Sequence, residues 1–169
     1  MSHFEKLAKA HSSTIVFKKI DKVWEDLHHN WPLYVEASLK GHKLRKALVD
    51  CGSGVNLLPY FVFVALGIPK ERLRSAYSLL NTFQGTPVKV VGTIVVSLAI
   101  GPIKTSNVFQ EVEESSNYHV LLGSLWIHAH NCVPSTLYQC IKSSFKGKDI
   151  EFMPMRRRQR LRSTKTRSL

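Results

Sequence analysis

The chain has 169 residues, enough for one domain with extensions, and a chain of that size buries enough surface to fold without disulfide or metal staples. Its hydrophobic fraction of 44% excludes a disordered polymer, and no apolar run approaches the roughly 20 residues of a membrane span. Lys and Arg number 24 against 12 Asp and Glu, a formal charge of +12 that points to an acidic partner.

Residues 1–14 are polar and mixed and read as a loose lead-in. Leu33, Val35, Ala37 and Leu39 alternate with Tyr34, Glu36, Ser38 and Lys40, the period of a half-buried strand. Gly41-His42 turns the chain into a second strand over residues 44–49, and the loop Asp50-Cys51-Gly52-Ser53-Gly54 follows at once. Pro59 suits the first position of a short helix, which Gly67 ends. Residues 78–83 and 88–100 form strands about the turn Gln84-Gly85-Thr86-Pro87, and Gly92 marks a bend or bulge. Val88, Val90, Ile94, Val96, Leu98 and Ile100 share one face of the longer strand. A strand over 103–112, a buried strand over 118–122, a helical turn over 126–130 and a hairpin over 137–152 complete the series. Short strands, many Gly/Pro turns and one or two brief helices predict a mostly all-β, barrel-like domain.

The strongest chemical signal is Ala47-Leu48-Val49-Asp50-Cys51-Gly52-Ser53. A carboxylate at the end of a buried strand is costly unless hydrogen-bonded, and the glycine lets backbone N–H groups turn toward it. Alone, Asp-x-Gly is more often a common turn. A second string, Val120-Leu121-Leu122-Gly123 followed by Trp126, ends another buried strand seventy residues on.

In this order the two strings resemble the retropepsins, the aspartic proteases of retroviruses and LTR retrotransposons, and most of all the protease region of gypsy-type elements of plants. The resemblance rests on ALVDCGSGVNLLP (residues 47–59), Phe83-Gln84-Gly85 and YHVLLGSLWIHAHNCVPSTLYQ (residues 118–139), and spans residues 15–153. It implies a retropepsin-like closed-barrel protomer whose single catalytic Asp50 is completed in a homodimer. It further implies an active-site loop of Cys51, Gly52 and Ser53, a flap of Gln84, Gly85 and Thr86, and a second-motif group of Leu121, Leu122 and Gly123. The substrate implied is an extended peptide, most naturally the parent polyprotein, and neither cofactor nor metal is called for.

Three departures from the family pattern imply impaired activity. Cys51 stands where Thr or Ser usually braces the two loops, and its S–H is a weak donor. Gly54 loosens the loop, and Ser124-Leu125 replace a common Arg-Pro. The alternative is an inactive module of the same fold that dimerises or binds peptide or nucleic acid; a basic RNA-binding domain is a third reading. Cys51 near a two-fold axis also suggests a Cys51–Cys51 disulfide, provided the Cα atoms come within about 7 Å.

Three cysteines, Cys51, Cys132 and Cys140, show no CxxC pair and argue against a disulfide framework. His128, His130 and Cys132 would face one way only if extended; on a short helix they scatter, and the histidines read as surface residues rather than zinc ligands. Residues 154–169 form a basic tail, with seven cations (Arg156, Arg157, Arg158, Arg160, Arg162, Lys165, Arg167) and no acid after residue 155. Removing those seven from +12 leaves +5 for residues 1–155. The tail reads either as a nuclear-localisation or nucleic-acid-contacting segment or as a solvated terminus. With no signal-like apolar stretch at the start, the expected setting is intracellular, cytoplasmic or nuclear, not secreted and not at a membrane.

Overall fold

A computed structural model describes residues 15–18, 30–81, 87–113 and 116–152. Strand β1 (Leu33–Leu39) carries the expected alternation, with Leu33, Val35, Ala37 and Leu39 buried. It turns through Lys40 and Gly41, both at positive φ (49° and 78°), into β2 (His42–Val49). That pair of left-handed residues matches the right-handed twist of the strands it joins. Strand β3 (Leu57–Pro59) leads directly into helix α1 (Tyr60–Ala65). Pro59 is the extended residue before the helix rather than its first turn, and Gly67 at φ +65° ends it. A 3-10 turn (Lys70–Arg72) then feeds β4 (Arg74–Asn81), which starts four residues earlier than the apolar pattern indicated.

The long strand β5 (Pro87–Ile100) buries every residue expected on its inner face, and its register shifts between Val90 and Gly92. From Val90 to its end it pairs with β6 (Ile103–Val112). Strand β7 (Val120–Leu122), helix α2 (Ser124–Ala129), β8 (Cys132–Ser135), β9 (Cys140–Phe145) and β10 (Lys148–Phe152) follow. Strands β3 and β8 were not anticipated: at three and four residues they are too short to show a period.

The order β1-β2-β7-β3-β6-β5 closes on itself through a β1–β5 pairing, giving a six-stranded barrel with β4 added outside on β5. Strands β10-β9-β8 form a separate antiparallel sheet. The barrel interior holds the main core, including Leu39, Leu58, Leu98, Ile100, Ile103, Phe109 and Leu122, and Trp126 of α2 packs into it. A smaller cluster of Val88, Val90 and Val112, with Leu57 and Leu80 against it, lies at the other end of β5. No helix among the described residues is long and apolar enough to cross a membrane.

His130 is a core residue, not the surface histidine the sequence suggested. Helix α2 ends at Ala129, and the next residue folds under it with 3% of its surface exposed. Its ring lies 4.9 Å from Trp126 and 5.3 Å from Phe145. Nδ1 is 2.7 Å from the Trp126 carbonyl, which accepts only, so Nδ1 carries the proton and Nε2 accepts from the Thr105 hydroxyl at 2.7 Å. Burial lowers the ring's proton affinity, against the smaller opposing effect of the Trp126 carbonyl. The unfolded chain therefore binds a proton here that the folded chain refuses, and stability is lost as pH falls below the ordinary histidine value of about 6.5. The expected loss is at most about 1.4 kcal/mol per pH unit from this group. Urea midpoints at pH 7.5 and 5.5 check it: the acid shift shrinks in His130→Gln relative to the parent.

Candidate active site

Parallel pairing of β2 with β7 (Ala47 with Val120, Leu48 with Leu121, Val49 with Leu122) brings together two strings that lie seventy residues apart in the chain. Such pairing needs apolar residues on both faces, which Val120, Leu121 and Leu122 supply. Asp50 follows β2 directly, half-buried, and its backbone N–H donates to the Leu122 carbonyl at 3.0 Å. The strand pairing thus extends one residue further and fixes where the carboxylate begins.

The loop then folds back on that carboxylate. The Gly52 N–H donates to Asp50 Oδ1 at 2.9 Å, and the Ser53 N–H donates to the Asp50 carbonyl at 3.3 Å. The Ser53 hydroxyl donates to the Val55 carbonyl at 2.8 Å, closing the loop from the other side. Gly54 has open space around its Cβ position and no left-handed φ, so the loop geometry does not demand a glycine there.

Gly123 is where the two strings touch. Its N–H donates to Asn56 Oδ1 at 3.0 Å, and the Ser124 N–H donates to the Ser53 carbonyl at 2.7 Å. A Cβ on Gly123 would sit 2.6 Å from the Ser53 carbonyl oxygen and closer still to that of Val55, both backbone atoms. A glycine is required by close approach, not by its φ of −91°.

Asn56 was not anticipated. Its side chain is 1% exposed and joins three segments: Oδ1 accepts from Gly123, Nδ2 donates to the Val108 carbonyl at 3.1 Å, and its own carbonyl accepts from the Gln110 N–H at 2.8 Å. The available signal was a polar residue inside the apolar run Val55-Asn56-Leu57-Leu58, where a buried amide needs partners.

Cys51 is exposed beside the carboxylate, a free thiol at the outer edge of the loop. Partial desolvation, and then the neighbouring Asp50 charge, push its proton affinity up. Beside Asp50 lies a depression of about 340 Å³ lined by Trp31, Pro32, Leu33, Leu48, Val49 and Thr136. Gln139, 1% exposed, donates to the carbonyls of Trp31 (3.2 Å) and Thr136 (2.9 Å) and so ties the two walls together. Asp50, Cys51, Gly52, Ser53, Leu121, Leu122 and Gly123 are therefore one assembly. Gln84, Gly85 and Thr86 lie outside the described residues, between the paired strand ends Asn81 and Pro87.

No cluster of three metal-ligating side chains occurs among the described residues. Cys132 is buried, its thiol pushed up to about 11 by desolvation, and it donates to the His130 carbonyl at 3.6 Å.

No protein-family model matches the sequence, and no curated protein matches it. Among solved structures, the chain is similar to the retroviral protease-like domain of Ddi1 from Leishmania major, with a TM-score of 0.55 at 14% identity, over 73% of this chain and 94% of that one. A retropepsin-like aspartic protease from Rickettsia conorii gives a TM-score of 0.47 at 19% identity, over 60% of this chain and 75% of that one. The EIAV protease, in complex with an inhibitor, gives 0.48 at 14% identity, over 60% and 90%. With a closed six-stranded barrel, two short helices and the likeness to the Ddi1 domain, the fold is retropepsin-like.

Proposed function

We propose that this chain is an aspartic endopeptidase that works as a homodimer, each copy contributing one Asp50. The observation that carries the reading is the Asp50 carboxylate itself. It stands half-exposed at the end of β2, held by the Gly52 N–H at 2.9 Å, in a loop tied through Ser53 and Asn56 to Gly123 and Ser124. A single protomer holds one such carboxylate, and peptide hydrolysis by this chemistry needs two. A two-fold axis beside Asp50 supplies the second through an isologous contact.

Two carboxylates about 3 Å apart do not both ionise, so the pair shares a proton and titrates as a unit. The ionised oxygen takes a proton from water, and the protonated one donates to the carbonyl oxygen of the scissile bond. Water oxygen attacks the carbonyl carbon to give a gem-diol. As its C–N bond breaks, the first carboxyl gives its proton to the departing amine nitrogen and the second takes one back from a diol hydroxyl, which restores the shared proton. The depression walled by Trp31, Pro32 and Thr136 is the surface offered to an extended peptide, with residues 84–86 proposed as its flap. The natural substrate proposed is the parent polyprotein of a gypsy-type element. Pepstatin-sensitive cleavage of peptides at mildly acidic pH, scaling with the dimer fraction seen by sedimentation, tests the proposal.

Cys51 supports a second reading, a module of this fold that dimerises or binds peptide without turnover. A thiol is a weaker donor than the hydroxyl that braces such loops. Absence of cleavage at concentrations where the dimer is shown to form decides for this reading. A two-fold beside Asp50 also brings the exposed Cys51 thiols together. Oxidation of the dimer with diamide at pH 8.5 is expected to give a reducible crosslinked dimer, absent in Cys51→Ser. Monomer alone on a non-reducing gel refutes the Cys51–Cys51 disulfide.

A further inference from the structure

Glu111 is a carboxylate in the wrong place for an ordinary surface acid. It is 0% exposed, and neither Oε1 nor Oε2 has a hydrogen-bond partner among the described residues. It lies near the end of β6, opposite Gly92 of β5 on one side and Leu58 of β3 on the other. Neither neighbour has a polar side chain to offer. Gly92 sits at the register shift of β5, so close to β4 that a Cβ there would meet the Arg74 carbonyl oxygen at 2.8 Å. The root of the β4–β5 hairpin thus closes one side of the Glu111 site, and β3, which follows the Asp50 loop, closes the other.

We propose that Glu111 is a positioning residue, a proton-dependent strut that holds the β3–β6–β5 junction closed when neutral and opens it when ionised. A buried carboxyl without partners tolerates only its neutral form, because removing a charge from water costs far more than removing a neutral group. Two charged groups act on it. Glu113, just beyond β6, opposes ionisation, and Lys70 of the 3-10 turn favours it; desolvation outweighs both and raises proton affinity. Lys70 is shared with the ring of Tyr60 on α1, 5.9 Å from its centroid, and makes no ion pair with Glu111 among the described contacts. The remaining neighbours in the sheet, Gly92 and Leu58, bring no charge.

The folded chain accordingly holds a proton on Glu111 that the unfolded chain releases above the ordinary glutamate value. The stabilisation is complete below that value and is lost as pH rises through the folded one. Because the strut joins the strand after the Asp50 loop to the strand of the hairpin, its opening loosens both together. This inference goes beyond the protease reading and needs no turnover.

Hydrogen exchange of the full chain at pH 5 and pH 8, converted to protection factors to remove the intrinsic pH dependence of exchange, tests it directly. Amides of residues 74–75, 92–93 and 110–111 are expected to lose at least tenfold in protection at pH 8, while β1 and β2 are not. In Glu111→Gln the protection becomes independent of pH; should that variant fail to fold, Glu111→Leu takes its place. Equal protection of these amides in the parent at the two pH values overturns the proposal without any variant. The same fall persisting in Glu111→Gln or Glu111→Leu overturns it as well. A cleavage assay is not involved, so failure here and failure of the protease reading are separate results.

Discussion

Asp50→Asn is expected to leave the barrel folded and to reduce peptide cleavage by about 10²–10⁴-fold, the range for loss of a positioned general acid–base group. The replacement has the same size, and its amide oxygen still accepts the Gly52 N–H that Asp50 Oδ1 accepts at 2.9 Å. What it loses is the ability to take a proton from water. Since both halves of the proposed pair change at once, no mixed site remains in the homodimer. Cleavage rates at matched dimer concentration, with circular dichroism as the check on folding, measure the effect. Cleavage that survives in the variant rules out Asp50 as the catalytic group.

Gly123→Ala is expected to destabilise the fold by about 3 kcal/mol, in the range of severe core substitutions. The added methyl points at the Ser53 and Val55 carbonyl oxygens, and backbone cannot swing aside as a side-chain tip would. Relief requires moving the Asp50 loop away from β7. That movement breaks the Ser124 N–H bond to Ser53 and the Gly123 N–H bond to Asn56, leaving buried groups unpaired. Stability and site geometry therefore fail together. Urea unfolding gives the first, and cleavage at low denaturant gives the second; a loss under about 1 kcal/mol contradicts this account of the contact.

Much of the barrel was legible because its strands obey a simple period. Strand β6 has the anticipated bounds, the inner face of β5 is the anticipated set of residues, and of the bend or bulge expected at Gly92 the register shift is the bulge. Alternation is a local property, so a long strand declares itself. Strands β3 and β8 could not, since three or four residues define no period. The juncture of Asp50 and Gly123 was reached by resemblance, because nothing local announces a parallel pairing seventy residues apart. Asn56 and His130 were missed for one physical reason. Each is a polar side chain met mostly by backbone groups, the Gly123 N–H and the Val108 and Trp126 carbonyls, which have no side-chain identity to read. The Thr105 hydroxyl that His130 also meets lies 25 residues away in the chain. Glu111 escaped notice for the opposite reason, having no partner that a pattern could reveal.

The barrel closes through few contacts. Strand β5 lends one edge to two neighbours: residues 87–93 take β4, and only Leu98 and Ala99 take β1, through Leu39 and Ser38. These two residue pairs join parts of the chain some sixty residues apart, whereas β1 with β2 and β5 with β6 are local hairpins. Local pairings form before distant ones because a long loop must lose more freedom to close. Two thin joins, β1 with β5 and the single pair Leu57–Leu121 of β3 with β7, link distant segments and are thus assembled late. The β3–β7 join lies beside the Asp50 loop, so there the ring is closed less by a ladder than by the Asn56 amide oxygen on the Gly123 N–H.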